Sequence, residues 1–148
     1  MTEVKFYDPD YKSDVNLTYS VITGRHQGKW IFVRHQNRDT WEIPGGHIER
    51  GENSDEAARR ELSEETGAVD FKIECVATYS VLQNGKKGYG RLYYADIQSL
   101  GPVPDVSEIA EIKFMEEMPD NLTYPEIQPH LFEKVIVYIN NRLITEIE

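Results

Sequence analysis

Three glutamates near the middle of the chain, Glu61, Glu64 and Glu65, are spaced three and four residues apart. On a helix these spacings place all three carboxylates on one face. Without a counter-ion that face is unfavourable, because like charges cost roughly 0.2 to 0.5 kcal/mol per pair and acids in the last turn oppose the negative end of the helix dipole. The pattern therefore predicts a cation at this face, and a divalent metal ion fits best.

Such a site suits the attack of water on a phosphoanhydride. The reaction requires a water in line with a phosphorus and neutralisation of charge on the phosphate oxygens, and Mg²⁺ held by carboxylates serves both needs. The Gly45-Gly46 pair upstream lets the backbone approach closely, so the Gly46 carbonyl is a further candidate ligand. Arg60 stands four residues before Glu64 and four after Glu56, within helical reach of both.

The helix that carries these groups has clear start and stop signals. Asn53 is a suitable N-cap, and Glu56 three residues later completes a capping box. Gly67 can adopt the left-handed conformation that ends a helix. Upstream, Trp41-Glu42-Ile43 is predicted as a short strand halted by Pro44 and the two glycines. Strand, glycine turn and helix should therefore bring the turn against the acidic face.

The remaining elements follow from hydrophobic patterning and turn residues. Two hairpins are predicted, over 15–24 with 29–35 and over 69–82 with 89–97, the second joined by a turn at 83–88. Residues 1–14 form an arm or a short edge strand, a loop runs to about residue 107, and a last short strand covers 111–115. A helix over 126–143 should cover the sheet with an apolar stripe of Ile127, Leu131, Val135 and Tyr138, widened by Phe132, Ile136, Ile139 and Leu143.

Composition sets the class of protein and excludes some partners. The 148 residues, 39% hydrophobic and 28% charged, indicate one domain over 1–148, with no apolar run of membrane-spanning length and no apolar leader, so we expect a cytoplasmic protein. A net charge of −10 argues against a nucleic-acid polymer or an anionic membrane as partner. It permits a small nucleotide if metal ions neutralise both parties. The single cysteine, Cys75, is expected to be a buried, inert thiol.

Residues 46–68 fit the pattern G, five residues, E, seven residues, R-E-apolar-x-E-E-x-G-apolar, and this resembles the Nudix box. The resemblance extends upstream to the Trp-Glu-Ile-Pro-Gly lead-in and downstream to the acids Glu108 and Glu111 before a strand and a proline. One departure is Ala68, where the family usually has a larger aliphatic residue, and Val69 is the candidate to supply the missing bulk. The resemblance implies an α/β fold, an α/β/α sandwich with a mixed, mostly antiparallel sheet.

The resemblance also implies roles for individual residues. Glu64 and Glu65 would be the principal ligands of Mg²⁺, with Mn²⁺ as an alternative, Glu61 a ligand or the base that activates water, and Arg60 the group that orients the catalytic glutamate. Glu52 would be an outer ligand or a structural acceptor. The base in this family sometimes lies on a loop outside the box, and here Glu111, then Glu108, are the candidates. The alternative is that both are solvated loop acids.

Candidate substrate contacts lie mostly ahead of the box. Arg34 and Arg38, with Arg25 and Lys29, could suit phosphates, His47 and His35 could touch them, and Trp41 or the Tyr89, Tyr93 and Tyr94 group could stack on a base. The competing interpretation is ordinary strand aromatics and surface cations. By resemblance to MutT-type enzymes the substrate is expected to be an (oxidised) nucleoside triphosphate. ADP-ribose or another nucleotide sugar is second, a dinucleoside polyphosphate third, and a non-catalytic nucleotide sensor the competing class. Dimers are common in the family, so a homodimer is a possible assembly.

Overall fold

A single mixed sheet with one helix on each face is formed by the residues described in the computed structural model, 1–11, 16–105 and 107–147, with side chains described as far as 142. In chain order the elements are β1 (Thr2–Tyr7), β2 (Leu17–His26), β3 (Lys29–His35), β4 (Gly45–His47), α1 (Ser54–Thr66), β5 (Ala68–Gln83), β6 (Lys86–Leu100), β7 (Ile109–Met115) and α2 (Gln128–Ile147).

The strand order is β1-β5-β6-β2-β3-β7, with β4 on the edge of β2. All pairs are antiparallel except β2 with β6. The β2–β3 hairpin is paired only next to its turn, at Arg25 with Trp30 and at His26 with Lys29. Beyond that point the two strands diverge and β4 takes the free edge of β2. This split places the Gly45-Gly46 backbone between two strands, where other groups can approach it.

The two faces of the sheet bury two separate apolar clusters, as the alternation of side chains along a strand requires. On β2, Val21 belongs to one cluster and Ile22 to the other. Helix α2 covers the first with Leu131 and Val135, and α1 covers the second with Leu62. The predicted α/β/α sandwich with a mostly antiparallel sheet is confirmed.

Both hairpins turn through two residues with positive φ, Gln27-Gly28 and Asn84-Gly85, the conformation that matches strand twist. The second turn is therefore shorter than the predicted 83–88, and its strands are longer than 69–82 and 89–97. The predicted strand at 41–43 is wrong: Trp41 and Glu42 form only isolated bridges, and the paired strand is β4, two residues past Ile43.

Several boundaries also differ from expectation. The N-terminal arm is an edge strand over 2–7, the last strand begins two residues earlier than predicted, and α2 begins two residues later and extends to Ile147. The predicted hairpin start at Val15, the loop residue Val106 and the side chain of Leu143 lie outside what the structure describes. Neither helix, in the part of the chain that the structure describes, is long and apolar enough to cross a membrane. Cys75 is half-buried and not fully buried as predicted. Burial still raises the pKa of its thiol to about 11, which disfavours the reactive thiolate.

Candidate active site

Helix α1 is held at both ends by the groups predicted to cap it. The Asn53 side chain accepts from the Glu56 N–H at 2.8 Å, and the Glu56 carboxylate accepts from the Asn53 N–H at 3.0 Å. At the other end Gly67 has φ 76° and donates to the Ser63 carbonyl. Leu62, fully buried, fixes the rotation of the helix on the sheet. The acidic face consequently points toward the glycine turn of β4.

Glu65 is buried against that turn. It is only 7% exposed, and its Oε1 accepts from the Gly45 N–H at 3.0 Å. His35 Nε2 lies 3.6 Å from Glu65 Oε2. Burial is the largest cause that raises the pKa of Glu65, to about 8, with repulsion from Glu61, Glu42 and Glu64 adding to it. The ionised form of such a carboxylate is unfavourable without a counter-ion, so a bound cation would stabilise it strongly.

Glu61 lies against the second glycine of the turn. A Cβ at Gly46 would stand 2.6 Å from Glu61 Oε1, so only glycine leaves room for the carboxylate. Burial raises the pKa of Glu61, although the Arg60 guanidinium opposes that rise. The backbone of Gly46 and the carboxylate of Glu61 are thus in direct apposition, as the sequence predicted for a shared site.

Arg60 links the acidic groups of the box. Its Nε and Nη2 donate to the two carboxylate oxygens of Glu52 at 2.6 and 2.9 Å, which makes Glu52 a structural acceptor. Its Nη1 donates to Glu61 at 2.9 Å and to Glu64 at 3.2 Å. The predicted reach toward Glu56 is not used, because that carboxylate caps the helix. Arg60 therefore fixes one oxygen of Glu61 and one of Glu64.

A cavity of about 850 Å³ opens beside these groups on the α2 side of the sheet. Of the predicted site residues, its walls include Gly46, Glu61, Glu65, His35, Arg38, His47, Tyr89 and Glu108. Its apolar part is formed mainly by Tyr19, Val21, Ile43, Tyr79, Val81, Ile127 and Leu131. Carboxylates at one end and an apolar floor at the other are the layout of a small-molecule site.

Arg60 and Glu64 do not line the cavity, but Arg60 Nη1 joins Glu64 to Glu61, which does. Three other predicted site residues lie away from the cavity. Trp41 is 6% exposed in the core, with Lys113 Nζ 4.4 Å from its ring centroid, so base stacking by Trp41 is not retained. Arg34 Nε lies 3.4 Å from Glu111 Oε1 across strands β3 and β7, outside the residues that line the cavity. Glu111 is therefore an outward strand residue, and the loop acid at the cavity is Glu108.

The other candidates are spread over the molecule. Tyr93 and Tyr94 are buried, whereas Tyr89 reaches the cavity. Arg25 lies over the Trp30 ring, 5.0 Å from its centroid, and Lys29 is exposed next to the β2–β3 turn. Strand alternation and packing in the core explain the positions of Tyr93, Tyr94, Arg25 and Lys29, whereas Tyr89 is a residue of the cavity.

Among the polar residues that line the cavity and that sequence reasoning missed, Glu42 and Gln128 are buried. Glu42 is 7% exposed and accepts from Arg38 Nη1 at 2.5 Å and from the Thr123 hydroxyl at 3.0 Å. Gln128, at the start of α2, accepts from the Ile43 N–H at 2.8 Å. The available signal is the lead-in segment that contains Glu42, although its pattern predicts a strand and gives no role to the acid.

The donor set fits a hard divalent cation in chemistry. Oxygen ligands from Glu61, Glu64, Glu65 and Gly46 are those that Mg²⁺ and Mn²⁺ accept, and the raised carboxyl pKa values mark uncompensated negative charge. Across the described residues no group of three His, Cys, Asp or Glu side chains is already arranged to hold a metal. Since Arg60 takes one oxygen of Glu61 and one of Glu64, ligation requires the carboxylates to reorient around it.

Comparison with known proteins agrees with this site. The family model described as NUDIX domain matches residues 16–119. A Bacillus subtilis (strain 168) protein named "Putative 8-oxo-dGTP diphosphatase YtkD" is 37% identical over 99 residues, 67% of this chain and 62% of that protein. An RNA pyrophosphohydrolase of Hahella chejuensis is 37% identical over 57 residues, 38% of this chain and 35% of that protein. The chain thus spans less than two thirds of the length of either relative.

Among solved structures, that of the Bacillus subtilis pyrophosphohydrolase BsRppH is similar with a TM-score of 0.74 and 26% identity. The match covers 90% of this chain and 89% of that chain. The likeness therefore extends over most of the fold.

Proposed function

The chain belongs to the NUDIX family, and we propose that it is a divalent-metal-dependent pyrophosphohydrolase that cleaves a phosphoanhydride bond in a nucleotide. Its substrate would be a nucleoside diphosphate linked to another group. Water attacks one phosphorus, a new P–O bond forms and the bridging P–O bond breaks. The products are two phosphorylated molecules, or a nucleoside monophosphate and pyrophosphate.

The observation that carries the proposal is the pair of mutually repelling carboxylates at the cavity, Glu65, which is buried, and Glu61, which is half-buried. A protein that only sensed a nucleotide would gain nothing from this arrangement, because two like charges without a counter-ion disfavour an anionic ligand. A metal-assisted hydrolase needs it, since the cation is held by the same charges.

Glu61, Glu64 and Glu65, with the Gly46 carbonyl, would hold Mg²⁺ or Mn²⁺. When bound, the ion supplies Lewis acidity and neutralises charge on the phosphate oxygens. Arg60 positions Glu61 and Glu64 through its shared Nη1. The base that accepts the proton of the attacking water is Glu61 or, if it comes from the loop before β7, Glu108, which lines the cavity whereas Glu111 does not.

For the substrate we place (oxidised) nucleoside triphosphates first, in line with the name of the Bacillus relative. Nucleotide sugars such as ADP-ribose and dinucleoside polyphosphates follow. The 5′-triphosphate end of RNA is a further candidate. The name of the Hahella relative favours it, and the net charge of −10 opposes it. A cytoplasmic location, a single domain over 1–148 and a homodimer remain predictions.

The test is turnover by the purified protein with Mg²⁺ and a panel of nucleotides, with the nucleotide, sugar-phosphate, phosphate and pyrophosphate products separated and identified. The panel contains the common and 8-oxo nucleoside triphosphates, ADP-ribose, a dinucleoside tetraphosphate and a 5′-triphosphorylated RNA. Metal-dependent release from one class supports the proposal and names the substrate. Tight binding of one member without turnover of any would favour a sensor.

A further inference from the structure

The floor of the cavity contains a row of residues that crosses four strands. Tyr79 on β5 is paired with Gly90 on β6, Gly90 with Tyr19 on β2, and Tyr19 with His47 on β4. The row ends next to Gly46, which lies against the Glu61 carboxylate. It therefore leads from the proposed metal ligands across the sheet to Tyr79.

Because Gly90 has no side chain, the Tyr79 phenol ring can lie directly over it. An ideal Cβ at Gly90 would stand 2.6 Å from both Cζ and Oη of Tyr79, so the tip of the ring occupies that space. At Gly88, two residues away on the same face, no heavy atom of the described chain comes within 4 Å of an ideal Cβ beyond its immediate neighbours. The phenol hydroxyl thus lies over the middle of the floor, beside open space.

The Tyr79 hydroxyl has no hydrogen-bond partner among the residues that the structure describes, although the side chain is only 4% exposed. The hydroxyl oxygen is not one of the described side-chain atoms that are both fully buried and unpaired, Thr23 Oγ1 and Arg25 Nε, so part of its surface is accessible. An unpaired polar group at a cavity wall is a candidate contact for a ligand. Burial and the nearby Tyr19 raise the pKa of Tyr79, so the hydroxyl stays protonated and can both donate and accept.

The surroundings of this hydroxyl suit a planar heteroaromatic ring. Val21, Val81 and Leu131 supply apolar walls, and the Tyr19 ring contacts the His47 ring with centroids 4.6 Å apart. An aromatic base buries well against such walls and needs one directed polar contact for orientation. From His47 to the space over Gly90 is two strand spacings, about 10 Å, a length that a nucleotide can bridge.

We propose that Tyr79 is a specificity-determining residue whose hydroxyl hydrogen-bonds the base of the nucleotide while the phosphates lie at Glu61 and Glu65. The placement of the phosphates rests on the proposed function; the base contact rests on the cavity floor alone. Gly90 contributes to the same contact, because a larger residue at this position would displace the Tyr79 phenol.

The test is equilibrium binding, which does not depend on catalysis. Isothermal titration calorimetry in Mg²⁺ measures the affinity of AMP, GMP, CMP and UMP, which contain no phosphoanhydride bond to cleave, for the wild type, Tyr79→Phe and Tyr94→Phe. Tyr94 is a buried tyrosine of the same cluster that does not line the cavity, so it is the matched control. We expect Tyr79→Phe to weaken the best-bound nucleotide roughly 5- to 10-fold, the usual effect of one hydrogen bond, and Tyr94→Phe to leave it unchanged. Gly90→Ala should weaken it as well.

Two outcomes overturn the inference: no binding of any of the four to the wild type, or equal affinity in the wild type and Tyr79→Phe. If Tyr79→Phe weakens binding but the wild type hydrolyses no nucleotide, the base contact stands and the proposed activity fails. Where turnover is found, Tyr79→Phe should raise KM for that nucleotide by the same factor with kcat little changed. Ribose 5-triphosphate, which has no base, should be unaffected.

Discussion

Glu65→Gln tests whether the site is a carboxylate cluster that lacks its cation. In the folded, metal-free protein the Glu65 pKa is about 8, against 4.5 for an ordinary glutamate, because of burial and of repulsion by Glu61, Glu42 and Glu64. A carboxyl whose pKa is raised on folding favours the folded state below pH 4.5 and loses that contribution as pH rises through about 8. The stability of the wild type should therefore fall across this window.

The magnitude follows from the two pKa values. At about 1.36 kcal/mol per pKa unit, the rise from 4.5 to about 8 corresponds to about 5 kcal/mol at most. Glutamine keeps an oxygen that can accept from the Gly45 N–H but never ionises. At pH 5 the variant should match the wild type, and at pH 9 it should be the more stable protein by several kcal/mol.

The assay is urea denaturation in EDTA at pH 5, 7 and 9, with Glu117→Gln, an exposed loop acid, as the control that keeps the wild-type slope. Added Mg²⁺ should restore stability to the wild type at pH 9 and do less for Glu65→Gln, because a bound ion stabilises only the state that binds it. Wild-type stability that does not change between pH 5 and 9 would refute the reasoning. So would a difference between the two proteins at pH 9 below about 1 kcal/mol, close to the range of ordinary surface substitutions.

Four substitutions test the catalytic assignments by steady-state kinetics on the preferred nucleotide, with thermal melts to check the fold. Glu64→Gln should lower kcat by roughly 10²-fold or more, because it removes a charged ligand of the metal. The melting temperature should be unchanged, because the side chain is 41% exposed. Near-normal rates would contradict the metal assignment. Glu108→Gln should lower kcat by roughly 10²- to 10⁴-fold if Glu108 is the base. Glu111→Gln should cost under about 1 kcal/mol of stability and leave kcat unchanged. A large loss of kcat in Glu111→Gln but not in Glu108→Gln would make Glu111 the base. Gly46→Ala should abolish turnover by displacing the Glu61 carboxylate from a position 2.6 Å from the new Cβ, and an unchanged kcat would show that this apposition is not needed.

The local features of the site were predictable because they depend on residues close in sequence. Helical spacing alone places Glu61, Glu64 and Glu65 together, and the cap residues Asn53 and Gly67 determine where the helix begins and ends. The reach of Arg60 to Glu64 follows from the same geometry. Its bonds to Glu52 and to the His47 carbonyl, both outside the helix, required the fold.

Residues on strands could not be assigned to the site in the same way. Side chains alternate between faces, and a single bulge reverses every assignment beyond it. The pairing of β3 with β7 shifts between Arg34 and His35, and that of β5 with β6 shifts between Cys75 and Ala77, just before Tyr79. Alternation counted from the start of either strand therefore does not tell which face such residues occupy.

The sequence by itself determined the acidic helix, its caps, the glycine turn and the class of chemistry, since each is a matter of spacing within about two turns of chain. The tertiary structure decided which distant residues share the cavity: it admits Glu108, Glu42 and Tyr79 and leaves out Glu111, Arg34 and Trp41. The physical reason is that strand register, bulges and the split between β2 and β3 are set by packing across the whole sheet. The acidic cluster can therefore be found from the sequence, while the residues that would select its substrate emerge only when the sheet is assembled.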